Sequence, residues 1–134
     1  MALPEIHTAT IALIRDRRVL MVTARGREVY YMPGGKIDPG EAPAEAAARE
    51  AFEEVSLTVD AAELEPLFEV LTQAHGEPEG RLVRMHVFAV RTDADPAPSA
   101  EVDAVHWVGT AEVHHCPPAG REVLRRLADA GLID

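Results

Sequence analysis

The chain has 134 residues, 47% of them hydrophobic and 27% charged, and a formal net charge of −10. That length and composition suit one globular domain with a real core. The acid excess excludes a nucleic-acid-coating role, because no basic stripe is present to neutralise phosphates.

An anionic small molecule would need metal ions and a few local arginines to enter such a protein. The single cysteine, Cys116, excludes an internal disulfide and fits a reducing cytoplasm. The opening stretch MALPEIHTATIALIRDRR lacks a basic leader region, and its apolar run is too short to span a membrane.

In chain order, His7–Ile14 is apolar and β-branched on both faces and predicts a buried strand. Asp16-Arg17-Arg18 predicts a turn, with Val19–Ala24 returning as a hairpin partner. A polar loop, Arg25-Gly26-Arg27, leads to a short strand expected over Val29–Met32, after which Pro33 enters a glycine turn.

A helix is expected over Pro43–Val55, since Pro43 suits the first helical position, where its missing N–H has no partner to lose. Ala44, Ala47, Ala48, Ala51, Phe52 and Val55 form its apolar stripe. Strand segments are expected over Leu57–Val59 and Leu64–Thr72, with Pro66 confining the latter to an edge. Ala74–Gly80 reads as a loop, Arg81–Arg91 as the clearest later strand, and Asp93–Ser99 as a Pro-rich loop. Ala104–Val108 predicts a strand, Thr110–His114 a brief helical turn, and Gly120–Ala130 an amphipathic helix with Val123, Leu124 and Leu127 inward. Strands and two substantial helices in this order predict a mixed sheet between helices, in a single domain over residues 1–134 without repeat or linker.

The chemistry concentrates in Gly34–Leu57, GGKIDPGEAPAEAAAREAFEEVSL. Glu50, Glu53 and Glu54 fall at i, i+3 and i+4, so they crowd one helix face and repel one another. Something cationic should sit among them. Hard carboxylate oxygens beside a permissive glycine loop suit Mg²⁺ or Mn²⁺ rather than a thiolate-seeking metal. The competing reading is a solvated face with Glu45–Arg49 and Arg49–Glu53 ion pairs. His114-His115-Cys116 make a poor zinc site, being adjacent on one loop with no fourth partner.

Gly35, Glu41, Arg49-Glu50, Glu53-Glu54, Val55 and Leu57 at these offsets resemble the signature of the Nudix hydrolases, with Ser56 standing where that family has glycine. The resemblance implies an α/β/α sandwich with a mixed sheet. It also implies Mg²⁺-dependent cleavage, with Mn²⁺ as a substitute, of a phosphoanhydride bond in a nucleotide or nucleotide derivative. By the same resemblance Glu53 and Glu54 are direct metal ligands, helped by the carbonyl of Gly34. Glu50 is the general base or a further ligand, and Arg49 orients the glutamates. Glu101, six residues before Trp107, corresponds to an additional ligand of MutT-like pyrophosphohydrolases. Glu41 completes the signature, and Arg25, Lys36 and Tyr31 are candidate substrate contacts.

Pro117-Pro118-Ala119 resembles a MutT-like segment whose next residue is an asparagine that reads oxidised guanine. Here that residue is Gly120, so a broader nucleoside triphosphate pyrophosphohydrolase is expected. The alternative is a Nudix-fold sensor that binds a nucleotide or ADP-ribose-like ligand without turnover. The expected partner is a small-molecule nucleotide, with a homodimer allowed for and neither nucleic acid nor membrane.

Overall fold

The computed structural model describes residues 3–134. Strands β1 (Ile6–Arg15), β2 (Arg18–Ala24), β3 (Gly34–Lys36), β4 (Glu65–Gln73), β5 (Leu82–Val90) and β6 (Val102–Val108) form one sheet. Its order is β4-β5-β1-β2-β6, with β3 also paired to β1. Only the β1–β5 pairing is parallel, which makes the sheet mixed. Helix α1 (Pro43–Val55) covers one face and α2 (Pro118–Asp129) the other.

The two-residue period of a strand explains the two layers. Ala9, Ile11 and Leu13 of β1, with Leu20 and Val22 of β2, pack against Ala46, Ala47, Ala51 and Val55 of α1. Ala12, Val19 and Met21 pack on the opposite side with Val123, Leu124 and Leu127 of α2. The chain is thus an α/β/α sandwich around a mixed sheet. Among the described residues no helix is long and apolar enough to cross a membrane.

The tight β1–β2 turn places Asp16 and Arg17 at φ 50° and 61°, the left-handed values that two-residue hairpins of matching twist require. Beyond it, β1 changes partners. Ile14 and Arg15 pair with β2, whereas Thr8, Ala9 and Thr10 pair with Lys36, Gly35 and Gly34 of β3. Ile11 N–H donates to the Pro33 carbonyl at 3.0 Å in between. Strands β2 and β3 therefore share one edge of β1.

Several local expectations are corrected. Val29–Met32 is not a strand; only Tyr31 bridges to Val22, and the ladder forms instead through Gly34–Lys36. Leu57–Val59 pairs with no strand, and Leu57 is buried. Helix α2 begins at Pro118 rather than Gly120, with Pro118 in the first-turn position that proline favours. Phe52 leaves the apolar stripe of α1 and is 61% exposed, while Ala46 joins the core.

Candidate active site

Helix α1 is preceded by its N-cap residue Ala42, whose N–H donates to Oε1 of Glu45 at 2.9 Å. Glu45 is thereby turned to the helix start and makes no pair with Arg49. The Arg49 guanidinium instead binds Glu41 through two 2.9 Å hydrogen bonds, a bidentate fork. It also donates to Glu50 at 2.9 Å, to the Lys36 carbonyl at 3.1 Å and to Glu53 at 3.4 Å, with Asp38 at 3.5 Å. Arg49 thus supplies a cation beside Glu50 and Glu53, but it does not reach Glu54.

These bonds set the local charge states. Hydrogen bonds from Arg49, and then from the Asp38 backbone N–H, hold the Glu41 carboxyl down at about 2. Its Glu41 and Glu50 partners push the Arg49 pKa above its ordinary value. Burial raises the Glu50 carboxyl above its usual range, against the opposing pull of Arg49.

Glu54 has no such cation among the described residues. One oxygen accepts the Gly34 N–H at 2.9 Å. Burial pushes its pKa up to about 7, partly offset by that bond and reinforced by the charges of Glu50, Glu101 and Glu53.

Both glycines of the turn are required by close approach. A Cβ on Gly34 would lie 2.3 Å from the Ala9 carbonyl oxygen, and one on Gly35 would lie 2.5 Å from Glu50 Oε1. The bare β3 backbone lets α1 bring its carboxylates against the sheet.

Two cavities open beside this arrangement. One, of 310 Å³, lies where β2 and β3 share β1, between Thr10, Val22, Gly34 and Gly35. Glu54, Glu101, Arg25 and Arg27 also line it. Arg25 forms an ion pair with Glu101, and its N–H donates to the Glu101 carbonyl at 3.2 Å. Asp103 accepts the Gly26 N–H at 2.6 Å, which fixes the Arg25–Arg27 turn beside β6. The second cavity, of 340 Å³, lies between Tyr30, Ile6, Val83 and Ala119, with Lys36 on its wall. Tyr31, Met32 and Met85 line both.

Of the sequence-predicted residues, Gly34, Glu54, Glu101, Arg25 and Tyr31 meet at the first cavity, and Lys36 lies at the second. Glu41, Arg49, Glu50 and Glu53 form the adjoining cluster, joined to the glycine turn through Gly35. Among the described residues, no three His, Cys, Asp or Glu side chains are grouped to hold an ion, since Glu50 and Glu53 are turned to Arg49. The donor chemistry nevertheless fits a hard divalent cation. It consists of oxygens, and Glu54 holds a partly buried carboxylate without a basic partner.

Sequence reasoning missed Arg27 and the Met32 and Met85 walls. Arg27 carried a signal, standing two residues from Arg25 in the same turn. The methionines carried none, since an apolar residue on a strand reads as core.

The chain matches the NUDIX domain over residues 5–128, and it belongs to that family. It is 36% identical over 113 residues to a protein of Myxococcus xanthus named octanoyltransferase, covering 78% of this chain and 31% of that protein. It is 41% identical over 44 residues to a putative 8-oxo-dGTP diphosphatase of Bacillus subtilis (strain 168), covering 33% of this chain and 30% of that one. The chain thus spans about a third of the length of these curated relatives. The crystal structure of MutT protein from Methanosarcina mazei Go1 superposes with a TM-score of 0.77 at 21% identity, over 98% of each chain, and shares the fold.

Proposed function

We propose that this protein is a divalent-metal-dependent hydrolase that cleaves a phosphoanhydride bond in a nucleoside triphosphate or related nucleotide. The observation that carries this reading is Glu54. Its partly buried carboxylate has no cation among the described residues, and it lines one cavity with Glu101, Arg25 and Arg27. A carboxylate kept in that state favours a cationic guest, and the arginines favour a polyanionic one.

Glu53, Glu54, Glu101 and the carbonyl of Gly34 would hold Mg²⁺ or Mn²⁺. When bound, the ion supplies charge neutralisation at the phosphates and a more acidic water. Arg25 and Arg27, which line the same cavity beside Glu101, orient the phosphate chain. Glu50, whose pKa burial raises, accepts the proton of the attacking water on a carboxylate oxygen. Arg49 holds Glu50 and Glu53 in register, and Glu41 in turn holds Arg49. Tyr31 stands where the two cavities meet and contacts the nucleoside. The small-molecule nucleotide is the partner this site suits.

The name of the B. subtilis relative supports hydrolysis of a nucleoside triphosphate, through a match confined to a third of this chain. Selectivity for an oxidised guanine does not follow, because Gly120 brings no side chain to the second cavity. The M. xanthus name rests on a protein of which this chain matches 31%, so acyl transfer is not part of the reading.

The test is phosphate release from a panel of nucleoside triphosphates, dinucleoside polyphosphates and nucleotide sugars in Mg²⁺, with and without added inorganic pyrophosphatase. Release that requires the added enzyme identifies pyrophosphate as the product. Binding without turnover of any substrate would leave a sensor in its place.

A further inference from the structure

The second cavity has aromatic and thioether walls, and its one side-chain amide is already committed. Tyr30, Tyr31, Met32 and Met85 form much of its lining. Gln73 also lines it, but the Gln73 amide nitrogen is shared among the carbonyls of Pro78 at 2.9 Å and of Ala74 and Glu77 at 3.3 Å. Its oxygen accepts the Gly80 N–H at 2.9 Å. Both ends of the amide therefore brace the 74–80 loop.

Gly120 adds only backbone. Apart from the hydroxyls of the half-buried Tyr30 and Tyr31, the remaining polar side chains, Lys36, His75 and Glu77, are exposed. Tyr30 is held in place by stacking on His106 at 4.7 Å, and Tyr31 meets His75 in a T-shaped contact.

Resting on the reading that nucleotides are the substrates, we infer that this cavity grips the base by its faces and leaves its edge unread. Purine and pyrimidine nucleotides are then accepted alike. Every base has a π face, so aromatic stacking tolerates any of them. Methionine side chains repack around ligands of different outline, as in other promiscuous binding surfaces. A site that hydrogen-bonds a substrate edge rejects the wrong partner by about 10⁴-fold or more, because its own polar groups are left unpaired. Among the described residues that line this cavity, no fully buried polar side chain is positioned to incur that penalty.

The experiment is calorimetric titration, in Mg²⁺, of the methylene-bridged analogues of adenosine, guanosine, cytidine and uridine triphosphates, and of inorganic tripolyphosphate. The nucleotide analogues should bind within about tenfold of one another, and tripolyphosphate about tenfold or more weaker. Tyr31→Leu keeps apolar bulk without a π face and should weaken every nucleotide by about tenfold while sparing tripolyphosphate. Tyr31→Trp should restore binding. A preference of about 10²-fold or more for one base would overturn the inference, as would tripolyphosphate binding as tightly as the nucleotides, or no binding by any of them. Phosphate release measured in parallel bears on hydrolysis alone. Base-independent binding without release would remove the hydrolase reading and leave this inference standing.

Discussion

Gly35 and Glu50 meet so closely that a single added carbon on Gly35 would fall 2.5 Å from Glu50 Oε1. The obstacle is the end of a flexible side chain, so Gly35→Ala displaces the carboxylate rather than the backbone. Turnover should fall by about 10²-fold, the scale of an ångström of misplacement at a reacting centre. The melting temperature should stay near wild type. Gly34→Ala meets the Ala9 backbone oxygen at 2.3 Å instead, and should cost about 1–3 kcal/mol of stability. Thermal melts and initial rates of the two variants check this division.

Glu54 links the site to pH. Its folded pKa, about 7, lies above the ordinary 4.5, so the folded metal-free chain holds a proton that the unfolded chain releases. The stability this contributes is complete below about pH 4.5 and is lost as pH rises through about 7. Metal binding requires that proton to leave, so Mg²⁺ affinity should rise over the same window. Melts between pH 5 and 8 with and without Mg²⁺ test both statements, and Glu54→Gln should flatten both dependences.

The start of α1 has one half of a reciprocal cap. Glu45 accepts the Ala42 N–H, but Ala42 has no side chain to return a bond to the helix. Ala42→Ser or Ala42→Thr should add about 0.5–2 kcal/mol. Chemical denaturation of the two variants measures the gain, which should leave turnover unchanged.

Ser56 ends α1 at φ 60° and ψ 27°, with its N–H donating to the Phe52 carbonyl at 3.2 Å. A left-handed conformation costs a non-glycine residue about 1–2 kcal/mol, of which glycine's extra freedom in the unfolded chain offsets about 0.5–1. Ser56→Gly should therefore stabilise the protein by about 0.5–1 kcal/mol without altering turnover. Denaturant melts measure it.

Helix α1 was legible to the residue because local chemistry fixes it: Pro43 at its first position, an apolar stripe and Ser56 in the glycine position at its end. The buried strands were legible from their composition to within one or two residues at their ends. Strand β3 was not, because Gly34-Gly35 has no strand propensity and its ladder exists only through the register of β1. The Arg49–Glu41 fork was hidden for a related reason. Glu45 lies at the favoured helical spacing from Arg49, and only the turn before α1 shows that Glu45 is occupied by Ala42. The cavities were illegible, since their walls come from segments far apart in the chain. Arg25 and Glu101 were foreseen separately, and only the β2–β6 pairing brings them together.

Hydrolysis through the carboxylate cluster of α1 is tested most directly at Glu53, which is half exposed and held to Arg49 at 3.4 Å. Glu53→Gln removes one of four acidic partners around that arginine at nearly constant shape. Its metal-free stability should remain within a few tenths of a kcal/mol of wild type. Wild-type phosphate release from a nucleoside triphosphate should require Mg²⁺ and vanish in excess EDTA, and the variant should turn over roughly 10²-fold or more slowly. A Glu53→Gln protein that melts lower without metal yet releases phosphate at the wild-type rate, or a wild type fully active in EDTA, would contradict the account.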